Sequence, residues 1–182
     1  EIKTALSDLS FMQVDFDMVF DRLSECTANG IDDCYFVIST NVGEKLRPLY
    51  DVASGGELSR IMLAVKSCMA VEDNIGTLVF DEIDVGISGR AAQAVAEKMA
   101  LISRKHQVIS ITHLPQIAAM ADSHYLIEKS ADEGKTVTKI VRLSEAESIT
   151  EIARLLGGAS ITDAVMSNAL EMKQKAEKTK KY

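Results

Sequence analysis

The residues best suited to chemistry are Asp81 and Glu82, two adjacent carboxylates that close the apolar run Thr77-Leu78-Val79-Phe80. A run of that kind forms a buried strand, and open α/β sheets bind ligands at the C-terminal ends of their strands. Asp81 can there hold Mg²⁺, directly or through water, because hard cations select carboxylate oxygen. Glu82 points elsewhere and can orient or deprotonate a water that attacks a terminal phosphate. The plainer alternative is a strand that meets an acidic turn. Upstream, Ser54-Gly55-Gly56-Glu57 heads a helical pattern. Paired glycines permit close backbone approach, and the first N–H groups of a helix suit an anion. Ser54 can cap that helix and also donate its hydroxyl to a phosphate oxygen, although an ordinary capped loop would look the same. His113 follows the apolar strand Val108 to Ile111 as Asp81 follows the first, so both side chains can reach one sheet edge. It can hydrogen-bond a phosphate or the attacking water, or serve structure alone. His106 and His124 lack such placement, and the methionines read as core filling.

These residues need a frame. Residues 1–10 read as the end of a helix. From Met12 to Phe20 the residues Met12, Val14, Phe16, Met18 and Phe20 alternate with mostly polar ones, which predicts a strand with one wet face. Asn29-Gly30 marks a turn, and Tyr35 to Thr40 a second strand before the Asn41-Val42-Gly43 loop. Leu58, Ile61, Met62, Val65 and Met69 form a helical stripe running to about residue 70. A strand over Gly76 to Phe80, a helix over Arg90 to Ser103, a strand over Val108 to Ile111 and a short helix after Pro115 follow. Further short strands, Tyr125 to Ile127 and Thr136 to Val141, flank the Asp132-Glu133-Gly134 turn. Ser148 with Glu151 predicts a capping box for a helix ended by Gly157-Gly158, and Ser160 with Asp163 repeats the signal for the last helix. Its charged tail, Glu171 to Lys180, is expected to fray or to continue elsewhere. Strand, helix and strand with continuous apolar strands predicts an α/β fold, a parallel sheet covered on both faces, with antiparallel strands near the start.

Bulk properties narrow the classes. With 182 residues, 47% of them hydrophobic, the chain can bury a core and is neither disordered nor fibrous. No apolar run is long enough to cross a bilayer, so no membrane partner is expected. Glu1-Ile2-Lys3-Thr4 carries no basic leader, no apolar signal segment and no Met, which reads as a cut piece. Cys26, Cys34 and Cys68 have no CxxC spacing and suit a reducing compartment. A formal charge of -7 argues against a general nucleic-acid surface, which neutralises phosphates with clustered Lys and Arg.

Taken together, Ala53-Ser54-Gly55-Gly56-Glu57, Leu78-Val79-Phe80-Asp81-Glu82 and Ile111-Thr112-His113 resemble the signature motif, the Walker B strand with its catalytic glutamate, and the switch-histidine strand of the ATP-binding-cassette ATPases. Their order and separations match as well. The longer strings Val52 to Arg60, Asp81 to Gly89 and Thr112-His113-Leu114-Pro115-Gln116 narrow this to the SMC-like branch and its RecN family of bacterial DNA repair proteins. The resemblance runs from about Met12 through the final helix. It implies the C-terminal lobe of a P-loop ATPase head over 1–182. Within it, 11–45 would be an antiparallel strand region, 46–145 the motif core and 146–182 the C-terminal helices. Ser54, Gly55, Gly56 and Glu57 would meet the γ-phosphate of ATP held by the opposite subunit, and Asp81 would support Mg²⁺. Glu82 would polarise water, and His113 would contact the γ-phosphate on its own head. Implied partners are the chain's own N-terminal Walker A half, a second head as homodimer, and DNA through the full-length assembly in the cytoplasm, at the nucleoid.

The pattern also departs from the class. Ala53 stands where Leu is usual, which suits RecN. Ser88 followed by Gly89 stands where the D-loop usually ends in Asp, and Asp84, acidic nearby, is given only a supporting role. No GxxxxGK[ST] phosphate loop occurs; Gly43-Glu44-Lys45 and Gly134-Lys135-Thr136 lack the second glycine and the spacing. The segment alone is therefore expected to be inactive. Alternatives are a head segment of another chromosome-organising or nuclease-associated ATPase, or a non-catalytic dimerisation or adaptor domain on the same fold.

Overall fold

A computed structural model describes all residues except 12, 42, 52–53, 70–74, 133–134, 159 and 182. The chain divides into two compact units, Glu1–Ile87 with Ile102–Ile111, and Ser88–Leu101 with Thr112–Tyr182.

The first unit opens with α1 (Ile2–Asp8), followed by an antiparallel hairpin of β1 (Asp15–Thr27) and β2 (Gly30–Ser39), to which the short β3 (Arg47–Pro48) adds. Gly30 sits at φ 116 in the turn, a conformation that glycine adopts at no steric cost. The strands are longer than the sequence pattern implies, and β1 does not build one buried face. Phe16 is buried, but Met18 and Phe20 are exposed, because the far end of a two-stranded ribbon has no layer against which to pack. Met12 and Val42 lie outside the described residues.

Helix α2 (Gly55–Met69) packs on α1. Its buried face is Gly56, Arg60, Ile61, Leu63, Ala64 and Val65. The expected stripe is therefore rotated: Ile61 and Val65 are inside, whereas Leu58, Met62 and Met69 are exposed. Strands β4 (Thr77–Phe80) and β5 (Gln107–Ser110) pair in parallel, Phe80 opposite Ser110. Buried His106 donates from Nδ1 to the Ile75 carbonyl at 2.6 Å, tying the starts of both strands together. The parallel portion of the fold is confined to this pair among the described residues, and the other sheets are antiparallel.

The second unit holds α3 (Gly89–Ile102, its final residue grouped with the first unit), α4 (Pro115–Met120), the antiparallel hairpin β6 (Tyr125–Asp132) with β7 (Lys135–Arg142), α5 (Glu145–Gly157) and α6 (Asp163–Lys180). Helices α4, α5 and α6 pack on one another. The capping box of α5 is Ser144 with Glu147, not Ser148 with Glu151: Ser144 Oγ accepts from the Glu147 N–H at 3.3 Å, and the Glu147 carboxylate accepts from the Ser144 N–H at 2.8 Å. Ser148 lies inside the helix, buried, 2.8 Å from His124 Nδ1. Gly158, at φ 65, ends α5 as expected. Thr162, rather than Ser160, caps α6, accepting from the Val165 N–H at 3.4 Å. The charged tail stays helical to Lys180 because Lys173 donates to the Ala119 and Ala121 carbonyls and Lys180 pairs with Asp122.

Candidate nucleotide-phosphate site

In the first unit the glycine pair and the carboxylates meet. Ser54 caps α2 through a long 3.4 Å bond accepted from the Glu57 N–H, so the helix begins at Gly55. Asp81 and Glu82 leave the C-terminal end of β4 in a tight turn, in which the Val85 N–H returns to the Glu82 carbonyl at 3.1 Å. Asp81 Oδ1 accepts from the Glu82 N–H at 2.9 Å. Glu82 stands at φ 57, the left-handed region that side chains other than glycine rarely enter. A Cβ on Gly56 would come within 2.9 Å of the Glu82 carbonyl oxygen and 3.1 Å of Val85, and a Cβ on Gly55 would collide with the Glu82 carboxylate. Gly56 is thus required by the close backbone approach of the turn, whereas at Gly55 only the movable end of the Glu82 side chain stands in the way.

Two side chains of α2 reach the same turn. Ser59 Oγ donates to the Asp81 carbonyl at 2.7 Å, and Arg60 Nη1 donates to the Val85 carbonyl at 2.8 Å. Arg60 is 8% exposed, lies 5.5 Å from the centroid of the Phe11 ring, and its Nε meets no acceptor among the described residues. Burial pushes the guanidinium below its ordinary value, with Glu57 opposing. In the sequence both stand only as the end of the Val52 to Arg60 string, with no role of their own. The signal was present: Arg60 follows Gly56 by one helical turn and so shares its inward face. Asp84, given a supporting role, is 3% exposed within the turn. Ser88 is exposed, and Gly89, at φ 53, begins α3.

His113 belongs to the second unit and is exposed. In the same strand-to-helix segment, the Leu114 N–H donates to Thr112 Oγ at 3.0 Å. Gln116 ends in a buried Oε1 with no partner among the described residues, beside a cleft that Arg90 and Lys175 also line. Ala53 lies outside the described residues.

The donor set fits a phosphate-bound cation better than a resident metal. Among the described residues no cluster of three or more His, Cys, Asp and Glu side chains is arranged to hold a metal ion. Asp81 offers one carboxylate, exposed, whose Oδ2 takes no hydrogen bond from a described residue. Mg²⁺ characteristically accepts one or two carboxylates and completes its shell with phosphate and water. Among the described residues no helix is long and apolar enough to cross a membrane.

No family model matches the chain. It is 47% identical over 156 residues to DNA repair protein RecN of Bacillus subtilis (strain 168), covering 86% of this chain and 27% of that protein. Against DNA repair protein RecN of Haemophilus influenzae the identity is 44% over 150 residues, 82% of this chain and 27% of the relative. The chain thus spans little more than a quarter of the length of these relatives. Its fold is similar to the Smc head domain, with a coiled coil and joint, from Pyrococcus yayanosii: TM-score 0.59 at 22% identity, covering 83% of this chain and 27% of that one. The chain thus has the α/β fold of an Smc-type head domain, and with identities above 40% across most of its length it belongs to the RecN family.

Proposed function

We propose that the chain supplies the C-terminal lobe of an ATPase head in a DNA double-strand-break repair protein. The observation that carries this reading is the meeting of the Ser54-Gly55-Gly56 helix start with the Asp81-Glu82 turn at the end of a parallel strand. Bound ATP with Mg²⁺ would supply the γ-phosphate to be transferred to water. Asp81 would hold the cation, since only its Oδ1 is engaged by a described residue. Glu82 orients and polarises the attacking water. Ser54, Gly55 and Gly56 would present the N-terminus of α2 to the phosphate on a second head, and His113 would contact the phosphate on its own. The Glu82 carboxylate now stands over Gly55 and must swing away first, because two anions repel at one helix start.

The sheet supports a missing partner half. Leu78 and Phe80 are buried, but Val79 is 63%, Ile109 46% and Ile111 50% exposed, although strands this apolar are normally covered on both faces. The half that carries the phosphate loop would cover them. Exposed Leu58 and Met62 on α2 add to the uncovered apolar surface.

Mixing this chain with a phosphate-loop half of a RecN-family head restores ATP hydrolysis, and Glu82→Gln then abolishes turnover while sparing nucleotide binding. Hydrolysis that survives Glu82→Gln sinks the assignment. DNA affinity belongs to the full assembly, which works in the cytoplasm at the nucleoid. The isolated acidic chain binds duplex DNA weakly at physiological salt, and tight binding there would overturn that part.

A further inference from the structure

We propose that Ser59 and Arg60 are positioning residues that fasten the Asp81–Val85 turn to the first turns of α2, so that the Ser54-Gly55-Gly56 edge and the Asp81-Glu82 carboxylates move as one block. The role in hydrolysis rests on the reading above; the fastening itself does not. Its grounds are geometric. Ser59 Oγ holds the Asp81 carbonyl at one end of the turn at 2.7 Å, and Arg60 Nη1 holds the Val85 carbonyl at the other at 2.8 Å. Between them Gly56 lets the Glu82 carbonyl approach to where any side chain would have stood. Arg60 has its own anchor, because the Phe11 ring lies against its guanidinium and the residue is buried. The turn needs holding: Glu82 is kept in the left-handed region, which a non-glycine residue leaves when its surroundings cease to over-determine it.

The coupling follows from adjacency. Ser59 and Arg60 are consecutive in α2, and Gly56 lies three and four residues before them, so one helix face carries all three contacts. A tilt of α2 caused by a phosphate at its N-terminus is therefore transmitted to Asp81 and Glu82 by two hydrogen bonds.

Amide hydrogen exchange on this chain tests the fastening. The Val85 N–H, bonded inside the turn, reports the turn; the Ile111 N–H, bonded to the Phe80 carbonyl, reports the sheet. Ser59→Ala accelerates exchange at Val85 by about fivefold, the effect of one net hydrogen bond, and leaves Ile111 unchanged. Arg60→Met does the same or more, and Arg60→Lys, which keeps a donor, restores part of the protection. Unchanged exchange at Val85 in both Ser59→Ala and Arg60→Met overturns the proposal, as does equal acceleration at Ile111. In the assembly reconstituted with a phosphate-loop half, Ser59→Ala lowers kcat several-fold at unchanged KM for ATP. A fall in KM-governed binding alone overturns the coupling to hydrolysis. If mixing restores no hydrolysis, the ATPase reading fails, and the fastening is decided by exchange.

Discussion

The Glu82 carboxylate fills the space in which a side chain at Gly55 would begin, while the Glu82 backbone carbonyl does the same for Gly56. The two glycines therefore respond differently to substitution. Gly55→Ala meets only the tip of a side chain that can swing aside, so stability should change by no more than about 0.5 kcal/mol. Gly56→Ala meets backbone at 2.9 Å and Val85 at 3.1 Å and should cost about 1–3 kcal/mol. Urea denaturation of both variants measures this; equal losses would show that the turn does not press on Gly56.

Glu82 keeps a left-handed backbone at φ 57. Glu82→Gly should raise stability by roughly 0.5–1 kcal/mol, the relief of strain less the added chain entropy of glycine. Glu82→Val should lower it, since β-branched residues fit that region worst. Thermal unfolding gives the signs, and a loss for glycine as large as for valine contradicts the strain. A stabilised Glu82→Gly that no longer supports hydrolysis in the reconstituted head would show strain retained at a working position.

Lys173 is half-buried and donates to the Ala119 and Ala121 carbonyls at 3.1 and 2.8 Å, closing the end of α4 with a side chain of α6. Burial pushes its ammonium below the ordinary range, with Lys180 adding to the effect and Glu177 and Asp122 opposing it. Lys173→Met keeps the stem but strands two carbonyls, at a cost of about 1–3 kcal/mol. Lys175→Met removes only an exposed pair with Glu171 and should leave the melting temperature unchanged. Similar shifts for both variants would refute the cap.

His124 is partly buried, 2.8 Å from Ser148 Oγ. Burial holds its imidazole below the ordinary histidine value of 6.5, with Glu151 raising and Lys173 lowering it. The unfolded chain therefore takes up the proton first as pH falls. This increment of stability is whole above pH 6.5 and declines as pH drops from 6.5 through the folded-state value. Melting temperature followed from pH 8 to about 5 should fall more steeply for the parent than for His124→Asn. Parallel profiles would remove His124 as the cause.

Chain connectivity alone sets the order of the working elements. A continuous apolar run must be buried and must end where polar residues begin, so Asp81-Glu82 at the end of β4 and Gly55-Gly56 at the head of α2 were readable from chain connectivity alone. The parallel α/β core followed for the same reason. Boundaries were less legible: Ser144 with Glu147 and Ser148 with Glu151 offer the same spacing, and only the packing of Ser148 against His124 selects the former as the cap. Alternation in β1 placed Met18 and Phe20 inside, but a period says which residues share a face, not whether anything covers it.

Features that depend on contacts between distant segments emerge only from packing in three dimensions. The burial of Arg60 depends on the turn after β4 and on Phe11 arriving beside it. The motifs were visible in the sequence. That the glycine pair lies under the carboxylate turn, held there by Ser59 and Arg60, follows only from the way α2 and β4 pack in three dimensions.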